Sequence, residues 1–193
     1  MKKTTDSPVG DEPAALCGRA WDVLVPARAS YLADVSAHYD EVFHEVAQRT
    51  EHTGSLGKTD IAALVVWKRL SAQTRWVTEL MSLPDTQVRK VTKQAVTKVR
   101  DTTLSPGEAA RAGRAIISQL PGFHKGDALA SAVLTAAAPQ RMAVYDRRVY
   151  GRYLQLLDDL LHHGGTRADG WTARDIDTAL YSTGATPDHP ASP

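Results

Sequence analysis

The chain has 193 residues, 42% hydrophobic and 23% charged, ordinary proportions for one folded core. Its single cysteine, Cys17, excludes an internal disulfide and any four-cysteine metal site, and no apolar run approaches the roughly 18 residues that would span a bilayer. The net charge of +1 conceals a segregation: residues 1–57 carry five Lys/Arg against nine Asp/Glu, residues 58–157 sixteen against seven, and the remainder two against six. A basic middle between acidic ends suits a phosphate-binding surface, although a solvated lysine-rich helix face would have the same composition. The opening Met1-Lys2-Lys3 is not followed by an apolar stretch, so it does not read as a secretory signal, and the expectation is a cytoplasmic protein with no membrane partner.

Strand patterns are missing, and the apolar spacing is helical almost throughout. Residues 1–12 read as a disordered leader, 13–181 as one helical domain and 182–193 as a disordered tail. Within the domain the pattern predicts about eight helices. A first helix runs from Pro13 to Leu24, ended by Pro26, and a longer one from Arg28 to Arg49. Glycines at 54 and 57 break the chain, and Asp60 is expected to cap a helix carrying Ile61, Leu64, Val65 and Lys68. Thr74–Ser82 is a short helix, and Pro84-Asp85 opens an amphipathic one to Arg100. Val88, Val91, Ala95 and Val99 form the apolar stripe of that helix, while Arg89, Lys90, Lys93 and Lys98 occupy other faces.

Ser105-Pro106-Gly107-Glu108 combines a serine cap, proline at the first helical position and glutamate at the third, a strong start for a helix to about Leu120. Asp127–Ala138 is the next helix, stopped by Pro139. Asp146 stands where a cap belongs for a helix to His163, and Thr172-Ala173-Arg174-Asp175 caps the last. The expected architecture is all-α, a compact two-lobed helical domain.

The stretch Leu120-Pro121-Gly122-Phe123-His124-Lys125-Gly126, between two of these helices, carries the most chemistry. A hairpin there leaves unpaired N–H groups at the start of the second helix, where the helix dipole also favours an anion. Gly122 and Gly126 permit positive φ and close backbone approach, while His124 and Lys125 add side-chain contacts. An ordinary helical corner would use the same proline and glycine. Downstream, Val144-Tyr145-Asp146-Arg147-Arg148-Val149 places one carboxylate at a helix start. As a cap, Asp146 would contribute about 1 kcal/mol. As a catalytic acid it would stay ionised beside an extruded nucleotide and stabilise an oxocarbenium-like sugar.

On these residues the chain resembles the helix-hairpin-helix DNA glycosylases, the superfamily of endonuclease III and the adenine glycosylases. Their hairpin reads Leu-Pro-Gly-Val-Gly, and their catalytic aspartate follows in a Val-Asp-Thr-His-Val-like segment. The resemblance covers roughly residues 105–160, and Trp67-Lys68-Arg69 and Ala130-Ser131-Ala132 are similar to an uncharacterised branch. The second hairpin glycine is either replaced by His124 or, in a loop two residues longer, supplied by Gly126. The position of the Schiff-base lysine in strand-cleaving members is then Gly126 or Ala128, which implies a monofunctional hydrolase. The resemblance implies a double-stranded DNA partner and Asp146 as the catalytic carboxylate. It also implies Gly122, Phe123, His124, Lys125, Gly126, Arg147 and Arg148 as DNA contacts, with a monovalent cation held by hairpin carbonyls. Tyr145 and Tyr150, flanking the aspartate, are base-pocket candidates. A non-catalytic nucleic-acid-binding module on the same scaffold and a helical interaction protein remain open beside this reading.

Other constellations carry less. Asp34, His38, Glu41 and Glu45 fall at helical spacing, but Gln48 stands where a zinc helix needs its second histidine, and no metal is expected. Trp67, Trp76 and Trp171 are either base-stacking or core residues. His162-His163 suits a helix C-terminus.

Overall fold

The computed structural model describes residues 12–124, 127–144 and 150–184; side chains are described for 18–124, 127–144 and 153–183. The described residues are all-helical, with nine α-helices and one 3-10 turn: α1 Glu12–Asp34, α2 Glu41–Thr53, α3 Lys58–Trp67, α4 Arg75–Ser82, α5 Asp85–Arg100, α6 Pro106–Ile117, α7 Ala128–Ala137, α8 Tyr150–His163 and α9 Ala173–Gly184, the 3-10 turn being Gly165–Ala168. Helix α9 thus runs past residue 182, where the sequence predicts a tail. The outer parts of the expected leader and tail, residues 1–11 and 185–193, lie outside the described residues. Among the described residues no helix is long and apolar enough to cross a membrane.

Helix α7 is the central rod. Every residue from Leu129 to Ala137 is buried, as expected of a helix that is apolar all round. Its alanines allow α2, α3, α5 and α6 to pack close. Gly113 of α6 serves the same end, since a side chain there would press on Val99 of α5 and Leu134 of α7. Helices α1, α8 and α9 form a second group, joined to the first where α8 meets α6.

Proline 26 does not end the first helix. Helix α1 continues through it to Asp34, because Trp21 and Leu24 before the proline are buried and Ala27 after it packs on the same core. The Trp21 indole N–H also bonds to the Leu160 carbonyl at 3.2 Å. Proline 26 faces solvent, the side of a helix on which a missing backbone N–H costs least. The break falls instead at residues 35–40. A second correction concerns Asp60, which is not the cap of α3 but its third residue. Its carboxylate accepts the N–H of Gly57, the actual cap, at 2.8 Å. That carboxylate is also buried against Arg49 at 2.9 Å, with Arg89 at 3.7 Å.

Two arginines cross-cap helix ends. Arg100 Nε donates to the Ala137 carbonyl at the end of α7 (2.8 Å). Arg141 reaches back to the end of α5, donating from Nη1 to Val99 (3.0 Å) and Asp101 (2.9 Å) and from Nη2 to Leu104 (2.7 Å). These orphan carbonyls carry the negative end of the helix dipole, so a fixed guanidinium suits them. Arg141→Ala should cost about 3 kcal/mol in denaturant unfolding, because charged hydrogen bonds are lost and carbonyls are left unpaired. Arg141→Lys should recover less than half, lacking the fork geometry. Wild-type stability in both variants would contradict this role.

Candidate functional site

Leu120-Pro121-Gly122-Phe123 forms a β-turn closed by Phe123 N–H donating to the Leu120 carbonyl at 3.2 Å. Proline at the second position and glycine with φ +89° at the third are the signature of type II. Leu120 and Phe123 anchor the turn in the core, exposed by 1% and 0%. Only the backbone of Phe123 can therefore meet a ligand, and its ring is a packing residue. Arg114 of α6 braces the next step, donating to the Phe123 carbonyl from Nη1 and pairing with Asp127 at 3.0 Å. Asp127 occupies the cap position of α7 without capping it. Its charge, which would repel an anion at that helix start, is neutralised by Arg114. Among bonds between described residues, the N–H groups of Gly122 and His124 have no partner.

Gly122 has a second neighbour that its sequence context did not announce. The Trp76 indole of α4 lies against it, so an added Cβ would sit 2.9 Å from Cζ3 and closer still to Cδ2 and Cε3. Trp76 is thereby a half-buried lid on the turn.

At the other end of α7 the chain opens onto a cavity of about 400 Å³, between the second half of α1, the start of α2, Pro139-Gln140 and the start of α9. Its polar wall includes Arg28, Tyr31, Asp40, Gln140, Arg174 and Asp175. Arg28 pairs with Asp175 at 2.7 Å and lies over the Trp171 ring, 4.8 Å from its centroid. Burial pushes the Asp175 carboxyl up, but the Thr172 N–H, Arg28 and the Thr172 hydroxyl outweigh it and hold the group below the usual carboxylate range. Arg174 pairs with Asp177 at 2.7 Å, approaches Asp40 at 3.7 Å and lies over Trp67. The Nε of Arg174 is buried without a hydrogen-bond partner.

Behind the wall, Tyr153 of α8 donates its hydroxyl to Asp177 at 2.6 Å. Burial and the Asp177 charge raise that phenol far above its ordinary value. Burial also raises Tyr31, with Asp40 adding to it, and lowers Lys68, with Arg174 adding to that.

The sequence-predicted residues divide sharply. Gly122, Phe123 and His124 sit on the turn. Lys125, Gly126, Tyr145, Asp146, Arg147 and Arg148 lie outside the described residues, as does the side chain of Tyr150. The cavity residues Arg28, Asp40, Arg174 and Asp175 were not singled out from sequence as a site, since they come from three distant segments. The one available signal was Thr172-Ala173-Arg174-Asp175, read only as a cap, which it is: Asp175 accepts the Thr172 N–H at 2.8 Å.

Trp67 is a core residue, 6% exposed, packed on Phe43 and donating its indole N–H to Asp40 at 2.9 Å. Asp34, His38, Glu41 and Glu45 do not share one helix face. Asp34 ends α1, His38 lies between helices and pairs with Glu41, and Glu45 approaches Arg49 at 3.5 Å. Comparison of the chain with protein-family models, with curated proteins and with solved structures finds no match.

Proposed function

We propose that this chain is a cytoplasmic, duplex-DNA-binding protein that hydrolyses the N-glycosidic bond of a damaged or mispaired base. The observation that carries the reading is the pairing of the Gly122 turn with the cavity through one rigid helix. Ten residues of α7 span about 15 Å, on the order of four phosphate spacings along a strand. In this scheme the turn and the first amides of α7 work as a helix-hairpin-helix grip on a phosphate, aided by His124 and Lys125. The cavity receives an extruded base, and Tyr145 and Tyr150 are the proposed contacts to that base. Arg147 and Arg148 hold the adjoining backbone.

Asp146 follows Gln140 by six positions and starts the segment that leads into α8. Its carboxylate stabilises positive charge on the sugar as the C1′–N bond breaks, then accepts the proton of the water whose oxygen joins C1′. The electron pair of the broken bond leaves with the base. The Arg114 guanidinium already supplies a positive charge at the Phe123 carbonyl, so a monovalent cation would share that carbonyl with it.

A second reading, a non-catalytic nucleic-acid-binding module, is favoured by the internal bracing of the turn. Trp76 and Arg114 make Gly122 and Phe123 structurally necessary whether or not chemistry follows. Base-release assays on lesion-bearing oligonucleotides, with abasic sites revealed by alkali, separate the two: no release across a broad panel, with binding intact, leaves the module. Both readings predict duplex affinity that falls steeply with salt, the log–log slope being about −0.9 per phosphate neutralised. A flat slope would remove DNA from the account.

A further inference from the structure

We propose that the lysine face of α5, formed by Lys90, Lys93 and Lys98, is a second contact surface for the sugar–phosphate backbone of duplex DNA, separate from the Gly122 turn. This rests on the DNA-binding reading above and extends it to a surface away from the cavity.

The charge pattern of α5 is one-sided. From Thr86 to Arg100 there are five cationic residues and no acidic one. The five differ in what they do. Arg89 is bound to Asp85 at 2.7 Å, and Arg100 to the Ala137 carbonyl. Both arginines therefore hold the fold together. Lys90, Lys93 and Lys98 are exposed, and among the described residues none has a carboxylate within ion-pair distance. The buried stripe of α5 is Val88, Thr92, Ala95, Val96 and Val99. Lys90 points directly away from that stripe, and Lys93 and Lys98 flank the same outward side, together with Thr86, Gln94 and Thr97. The lysines spread over about 12 Å of helix, a length matching several phosphates of one strand.

Position sets this face apart from the turn. Residues 101–105 reverse the chain, so α5 and α6 run antiparallel, with Gly113 against Ala95 and Val99. The end of α6 and the turn after it therefore lie level with Lys90 along the α5 axis but on the side of the buried stripe, across α5 from the lysines. Trp76, which covers Gly122, belongs to α4, and only Leu83 and Pro84 separate α4 from α5. A duplex backbone can pass along this face without meeting an acidic residue, since α5 carries none from Thr86 to Arg100 and its first residue, Asp85, is tied to Arg89. A duplex, with regularly spaced phosphates and no need for base readout, fits such a row of flexible point charges.

The test is fluorescence anisotropy of the full chain on a short undamaged duplex, titrated across salt, comparing wild type with Lys90→Ala/Lys93→Ala/Lys98→Ala. The triple variant should bind about tenfold or more weakly at low salt, and its log–log slope should be shallower by about 2 to 3. Its circular dichroism and melting temperature should not change, because the side chains are exposed. Thr97→Glu, which inserts one acid into the face, should weaken binding in the same direction without affecting the melt. Equal slopes for wild type and triple variant would overturn the proposal while leaving the turn as the DNA contact. If wild type fails to bind duplex at all, both this surface and the functional reading fall. Binding that depends on the lysines, without base release on any lesion, would sustain this proposal and remove only the catalysis.

Discussion

Asp146→Asn is expected to slow base release by about 10³-fold or more while leaving duplex affinity unchanged or slightly higher. The substitution is nearly isosteric, and it separates the two roles weighed for Asp146 from the sequence, a helix cap and a catalytic acid. Asparagine caps a helix N-terminus about as well as aspartate, so a purely structural Asp146 predicts near-wild-type behaviour. A carboxamide cannot neutralise an oxocarbenium-like sugar with a full charge, nor take the proton of an attacking water. Loss of release with retained binding therefore identifies the charge as the functional property. Asp146→Ala, which removes the charge and any capping oxygen together, should lose release as well. Undiminished release by the asparagine variant would transfer the chemistry to another group, and the tyrosine–arginine–aspartate wall of the cavity would then be the place to look.

The second large effect falls on stability. Gly122→Ala should destabilise the protein by about 3 kcal/mol, through a left-handed backbone that side chains resist and a methyl group placed inside the Trp76 indole. For a chain of this length that corresponds to a melting temperature lower by roughly 6–12 °C. A double-mutant cycle shows which cause dominates. With Trp76→Ala present, the cost of Gly122→Ala should fall by about 1 kcal/mol or more, the share due to the indole, leaving the backbone share behind. Strict additivity of the two substitutions would mean that Trp76 does not press on the turn. Such a result would free the glycine for the close approach of a phosphate alone.

Much of the fold was legible in the chain because its signals are local. Ser105 and Glu108 form the reciprocal cap expected from their spacing, with the serine hydroxyl accepting the Glu108 N–H and the glutamate accepting the Ser105 N–H. Pro121-Gly122 makes the turn those two residues prefer, and the small-residue run from Ala128 to Ala137 becomes a buried helix. In each case the determining contacts lie within about four residues, so pattern and backbone preference suffice.

Tertiary packing decided what those signals could not. Proline 26 reads locally as a stop, yet buried Trp21 and Leu24 on one side and Ala27 on the other carry α1 past it. Asp60 looks like a cap and is a buried partner of Arg49. The cavity could not be read in advance, because Arg28, Asp40, Gln140 and Asp175 meet only when α1, α2 and α9 converge, across separations of up to 147 positions. Local signals in the chain were enough for an all-helical protein with a proline–glycine turn and a basic helix that carries no acid after Asp85. Only the three-dimensional packing decided that the arginines of that helix are held in the fold and its lysines left outward. Ion pairs form between residues that folding brings together, whatever their distance along the chain.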